Sequence, residues 1–265
     1  MRHESLEKRD LLAVTVSIDY SYDSHGFFDS VERRDSLQSA LDSVVSQLSD
    51  TLQSISPRKR NNWRAHFIDP STGSDTFVLN QKIESNQLVV YAGGRDLGSS
   101  LGEGGPGGYT ASGNGKWIKR VETRGEGQPA PWGGSLAFNT DIPWHFGETT
   151  SGLTMSRFDF RSVAVHEMTH LLGFGASAVF DAQVVDGMFA GQNAASEFGG
   201  PVPLSPSWGH WSPNLVDSAM DSRLSSGKRE PLSRLDRAAL VDIGWEIDLS
   251  SQPLSSSVRT PRAAA

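Results

Sequence analysis

The sequence predicts a mixed α/β or α+β fold. An N-terminal subdomain carries a twisted, mostly parallel sheet and two long helices, and a smaller, irregular C-terminal subdomain ends in a further helix. Three observations lead there. Residues 12–20, LAVTVSIDY, put Val14, Val16, Ile18 and Tyr20 on one face, the period of a strand. From 35 to 55, Leu37, Leu41, Val44, Val45, Leu48, Leu52 and Ile55 recur at helical spacing, which predicts a long amphipathic helix stopped near Pro57. Short apolar runs follow, and a strand, a helix and more strands in that order predict a sheet layered with helices.

Those runs are RAHFID (64–69), TFVLN (76–80) and QLVVYA (87–92), each read as a strand. Residues 93–115 contain the glycine cluster GEGGPGGYTASGNG. A phosphate loop needs its lysine followed by Ser or Thr, but Trp117 follows Lys116, so the cluster predicts a flexible surface loop. WIKRVET (117–123) and GSLAFNT (134–140) read as further strands. FDFRSVAVHEMTHLLG (158–173) is the second clear helix, with Asp159 as N-cap and Gly173 as a left-handed stop. Residues 174–232 are rich in Gly, Pro and Ser and have weak periodicity. The last helix comes from SRLDRAALVDIGW: Ser233 and Asp236 stand at capping-box spacing, Leu235, Ala238 and Ala239 share a face, and Gly244 ends it. This gives one domain over 12–248, with subdomains 12–173 and 174–248. A charged leader (1–11) precedes it and a Ser/Pro/Ala-rich tail (249–265) follows.

Composition removes several function classes. A net charge of −7 with no basic run argues against nucleic acid or an anionic membrane as the main partner. No apolar run approaches the roughly 20 residues of a membrane span. There is no cysteine, which excludes disulfides, thiolate-bound zinc and thiol nucleophiles. A monomer is expected. The N-terminus lacks the apolar stretch of a signal peptide. RHESLEKRDLLA resembles a short segment at the start of large surface or secreted bacterial proteins, which implies a secreted or cell-surface location.

The chemistry centres on HEMTHLLGFGA (166–176). In H-E-x-x-H on a helix, His166 and His170 project from one face one turn apart, a spacing at which two imidazoles reach one zinc ion. Glu167 lies about 100° further round the helix, where it can meet a water on the metal without ligating it. A catalytic zinc takes three protein ligands. The longer pattern H-E-x-x-H-x-x-G-x-x-H would place the third at residue 176, which is Ala176. Among the other histidines, His3, His25, His66, His145 and His210, only His210 lies downstream, between Trp208 and Trp211. The acidic alternative is Glu197, giving a His/His/Glu site, although Gly199, Gly200 and Pro201 make SEFGGP a poor helix. Both candidates stand on the residues alone.

HEMTHLLGF, a long insertion, then GHW and a methionine ten residues on resemble the leishmanolysin-type branch of the metzincin zinc metalloproteases, in which an insertion displaces the third histidine. The resemblance implies a metzincin-like fold and one catalytic Zn2+ held by His166, His170 and His210. It also implies Glu167 as general base, Met220 as the Met-turn residue, and PLSRLDRAALVDIGW as the helix after that turn. WGGSLAFN resembles the strand above the cleft in matrixins, which implies that Gly134, Ser135, Leu136 and Ala137 pair with an extended substrate by β-augmentation. The chain departs from the family in two respects. Ala176 excludes the compact ligand set, and the lack of cysteine points to a bacterial cousin of the disulfide-bearing relatives.

The function expected is zinc-dependent endopeptidase action on a peptide or protein substrate. The alternatives are a catalytically silent binding module, the His/His/Glu site through Glu197, or hydrolysis of a non-peptide amide. Asp217 and Asp221 either orient a ligand histidine through its second ring nitrogen or form turns. No tyrosine follows Tyr109, so oxyanion stabilisation is expected from the metal and a backbone N–H. The acidic and glycine-rich loops permit structural Ca2+ without specifying it. With so short a leader, activity without removal of a long pro-segment is expected.

Overall fold

The computed structural model of the chain describes residues 13–124, 130–213, 215 and 217–250. The leader at 1–11 and nearly all of the 249–265 tail lie outside them. In chain order the elements are β1 (Thr15–Asp19), α1 (Val31–Val45), β2 (Asn62–Ile68), β3 (Asp75–Leu79), β4 (Gln87–Arg95), β5 (Gly102–Pro106), β6 (Gly108–Ser112), α2 (Gly115–Thr123) and β7 (Gly133–Asn139). Then come β8 (Trp144–His145), β9 (Phe158–Asp159), α3 (Phe160–Leu171), α4 (Ala178–Asp181), β10 (Val184–Val185), β11 (Met188–Phe189), α5 (Gln192–Phe198), β12 (Val202–Pro203) and α6 (Arg234–Asp242). The fold is α+β around a mixed sheet.

The main sheet has the order β1–β4–β7–β5, with the first three strands parallel and β5 antiparallel at the edge. A second, antiparallel sheet has the order β3–β2–β6. Strand β4 is buried almost throughout because both of its faces are covered. Leu88, Val90 and Ala92 join α1 and α3 in the main core, while Val89 and Tyr91 join Trp63, Phe67 and Trp132 of the second sheet's core. The main core runs from Val14 to Trp245, so it crosses the expected subdomain boundary at Gly173 without a break.

Three sequence expectations are corrected. The first helix starts at Val31, behind the Ser30 N-cap, and ends at Val45 rather than near Ile55. Leu48, Leu52 and Ile55 keep helical spacing but spend their backbone elsewhere. Leu48 bridges Ile247, Ile55 bridges Ile83, and the Leu52 N–H donates to Asn86 Oδ1 at 2.8 Å. WIKRVET is helix α2, not a strand: Asn114 caps it by accepting from the Trp117 N–H, and Trp117 and Val121, four apart, are its buried face. Its last turn is held by Arg124, fully buried, whose guanidinium donates to the carbonyls of Gln53, Gln87 and Glu84. The third correction is the glycine cluster, which forms β5 and β6 instead of a loop. Among the described residues no helix is long and apolar enough to cross a membrane.

Candidate metal centre

Helix α3 begins where Asp159 accepts hydrogen bonds from the Ser162 N–H (3.1 Å) and hydroxyl (2.7 Å), as the sequence predicts. Arg229 clasps the same carboxylate with Nε at 2.9 Å and Nη2 at 2.7 Å. The helix stops at Gly173 (φ 107°), where the Gly173 and Phe174 N–H groups donate back to the carbonyls of His170 and Thr169. Nearly all of α3 is buried, including His166, Glu167 and His170.

His166 and His170 sit one turn apart, and His210 closes on them from a loop. The three Nε2 atoms form a near-equilateral triangle with sides of 3.1, 3.1 and 3.0 Å. His166 Nδ1 is 2.6 Å from the Ala219 carbonyl and His170 Nδ1 is 2.8 Å from that of Phe174. A carbonyl only accepts, so both rings donate from Nδ1 and, when neutral, present a bare lone pair at Nε2. Burial, then the neighbouring histidines, holds His166 well below the usual histidine range, and burial drives His170 to about 4 and lowers His210. Lone pairs converging at 3 Å, with too few protons to bridge them, are stabilised by a cation. Tetrahedral ligation at zinc–nitrogen distances calls for a nitrogen spacing of about 3.3 Å, close to the observed triangle. Within the described residues this is the one histidine and carboxylate cluster able to hold a metal ion.

Glu167 lies beside the triangle and outside it. Its carboxylate accepts the Gly104 N–H of β5, and burial, followed by the Glu103 charge, pushes it up to about 8. A Cβ on Gly102 would stand 2.7 Å from Glu167 Oε1, and one on Gly104 would stand 2.7 Å from both the Cβ and the carbonyl oxygen of Glu167. Strand β5 therefore lies directly against the helix because those two positions lack side chains. The signal is present in the sequence as glycines at period two, a pattern that equally suits a flexible loop.

Strand β7 is corrected in the same place. It is interior, paired to β4 on one side and β5 on the other, so Gly134, Ser135, Leu136 and Ala137 offer no free edge to a peptide. The edge belongs to β5. The Asn139 N–H donates to the Leu101 carbonyl and the Gly107 N–H to that of Gly133, so odd-numbered residues bond to β7. By the alternation of an antiparallel ladder, Gly102 and Gly104 turn their backbone groups outward, where the Gly104 N–H is taken by the Glu167 carboxylate. Gly102 of this edge lines a cleft of about 560 Å³ together with Val163, His166, Glu167 and His210 and with Asp221 to Ser225.

Met220 is fully buried in the main core. Its carbonyl accepts from the Trp211 N–H at 3.0 Å, joining the turn before α6 to the residue after His210. Both segments converge on Asp236, buried in the first turn of α6. Its Oδ1 accepts from Trp211 Nε1 (2.7 Å) and Ser218 Oγ (2.5 Å), and its Oδ2 from the Ser233 N–H (2.7 Å). The Ser233–Asp236 capping box is thus present, but its acid also ties the loop of His210 to the turn whose Ala219 carbonyl holds His166. Sequence spacing identified the cap and missed the support. Neither Asp217 nor Asp221 orients His166 or His170, whose Nδ1 atoms meet the Ala219 and Phe174 carbonyls. Asp217 pairs with Lys228, and Asp221 accepts from the Arg223 N–H in a turn. Glu197 lies on α5, a helix despite the glycines that end it, and pairs with Arg234 at 2.7 Å, outside the cluster. His25, His66 and His145 bond to Gly94, Thr110 and Thr149 and take no part in it.

No family model matches the chain, and no curated protein or solved structure matches it.

Proposed function

We propose that the protein is a zinc-dependent endopeptidase with a metzincin-like fold, akin to the leishmanolysin branch and acting on peptide or protein substrates. The observation that carries this is the convergence of three imidazole Nε2 atoms within 3.1 Å, with an unligated, buried glutamate beside them. A secreted or cell-surface bacterial location and a monomeric state belong to the same proposal.

When bound, Zn2+ would supply Lewis acidity, polarising a substrate carbonyl and making a water acidic enough to attack it near neutral pH. His166, His170 and His210 would hold it. The Ala219 and Phe174 carbonyls fix the tautomer and plane of the first two rings. Glu167 takes the proton of the attacking water and returns it to the leaving amine. A residue that does both needs a proton affinity near that of the medium, which its burial favours. The outward backbone groups of β5 other than the Gly104 N–H, which Glu167 holds, pair with the substrate main chain, and the glycines keep that chain close to Glu167.

Two variants test this reading. Glu167→Gln should retain one zinc per chain while cleavage of an unfolded protein falls about a hundredfold to ten-thousandfold. His210→Ala should lose the metal on dialysis against a weak chelator. A zinc-loaded wild type as inert as Glu167→Gln would favour a silent binding module and overturn the peptidase.

A further inference from the structure

The chain has seven tryptophans. Six are buried: Trp63, Trp117, Trp132, Trp144, Trp211 and Trp245. Each of these donates its indole N–H, to Gln81, Asn62, Gly108, Asn139, Asp236 and Leu172 respectively. Trp208 is the exception. It is 57% exposed, and among the described residues its ring has neither a hydrogen bond nor an aromatic partner.

Its backbone is also unusual. Trp208 has φ 60°, the left-handed region that a bulky side chain enters at a cost. It sits in a loop closed by the Ser205 N–H donating to the His210 carbonyl at 2.9 Å, and is itself bonded through its N–H to the Ser205 carbonyl at 2.8 Å. The loop that delivers the third histidine thus carries an exposed indole two residues earlier, within about 7 Å of backbone. Beside it stands the Asp186–Gly187 turn, both residues at positive φ, which joins β10 to β11; a Cβ on Gly187 would lie 3.8 Å from Trp208 Nε1. Val185 and Met188, flanking that turn, are exposed as well.

An indole more than half exposed, held in a costly conformation two residues from His210, buries too little surface for packing alone to explain it. Resting on the peptidase reading, we propose that Trp208, with Val185 and Met188, is a binding platform on the rim of the metal centre. It takes an apolar or aromatic side chain of an unfolded polypeptide a few residues from the bond to be cleaved. Indoles favour such contacts because they bury a large flat area at little entropic cost.

The test uses the zinc-loaded Glu167→Gln protein, which should bind casein without consuming it. Since every other indole is buried, binding should shift tryptophan emission to the blue, and the Glu167→Gln/Trp208→Asn double variant should lose that shift and bind about tenfold more weakly. Trp208→Phe should bind within a few fold of the parent. Asparagine tolerates the left-handed conformation, so Trp208→Asn should leave the melting temperature equal or higher, whereas a structural tryptophan would lower it. Equal casein affinity in parent and Trp208→Asn, or a clear loss of melting temperature together with zinc, would overturn the platform alone. A zinc-loaded wild type that neither binds nor cleaves casein would overturn the peptidase reading and the platform with it.

Discussion

A single methyl group at Gly104 would collide with the Cβ and carbonyl oxygen of Glu167 and approach Leu136 Cδ2 at 2.8 Å. Two of those three contacts are backbone or Cβ atoms, which cannot rotate away. Gly104→Ala should therefore push β5 off α3, costing about 2 kcal/mol or more by the scale of overpacked cores. Thermal unfolding would read this, and unchanged stability would mean that strand and helix are not in direct contact. Gly105, one position along, has open space where its Cβ would go, so Gly105→Ala is the matched control. At this scale the histidine pair and its glutamate are visible in the sequence because they occupy one turn of one helix. The pairing of His210 with them depends on a chain that returns from forty residues past His170.

Among the elements, α6 supports the site without touching it. Asp236 draws a hydrogen bond from Trp211, next to His210, and another from Ser218, next to the Ala219 carbonyl that anchors His166. An asparagine there must turn an NH2 toward at least one donor. Asp236→Asn should weaken zinc binding by about 10- to 100-fold, the range for partners that orient metal ligands, as measured by competition with a chelator. Ser218→Ala, which cuts one arm, should do less. Combined with Asp236→Asn it should add little, because both act through one hub. Full additivity would refute the shared support. Strand β5 is the other element whose role is hidden from pattern reading. Glycine is a poor strand former in general, and only the approach of α3 makes it the residue that fits.

For the whole molecule, the buried titratable groups set a pH profile. His170 is depressed to about 4, with His166 and His210 lowered in the same direction, all by burial first. Between the folded and unfolded values the unfolded chain binds protons that the folded one does not. The stability of the metal-free protein is therefore lost as pH falls from about 6.5 toward 4. Glu167, raised to about 8, works oppositely: the folded state keeps a proton that the unfolded chain releases above about 4.5. Stability therefore also declines as pH rises toward 8. With three histidines against one glutamate, the metal-free protein should be most stable near pH 6.5. Zinc should raise the neutral and alkaline side while its benefit disappears in acid, as protons displace it. Denaturant titrations with and without zinc from pH 4 to 8 would show this, and a flat metal-free profile would contradict it.

The sequence alone determined whatever a short stretch of chain can specify. It gave α3 with its Asp159 cap and Gly173 stop, α6 with its capping box, and the strands β1 to β4 and β7. It also gave the one-turn spacing that sets His166, Glu167 and His170 together, because caps and periodicity act over a few residues. Helix α2 is not legible in the sequence, because Trp117 and Val121, four apart, fit either period, and the Asn114 cap decides between them. Only the tertiary structure decided that β5 and not β7 is the open edge, that Glu197 is spent on Arg234, and that His210 completes the nitrogen triangle. Edges, ion pairs and ligand sets depend on which distant segments become neighbours, and that is fixed by burial of the core as a whole, not by any local pattern.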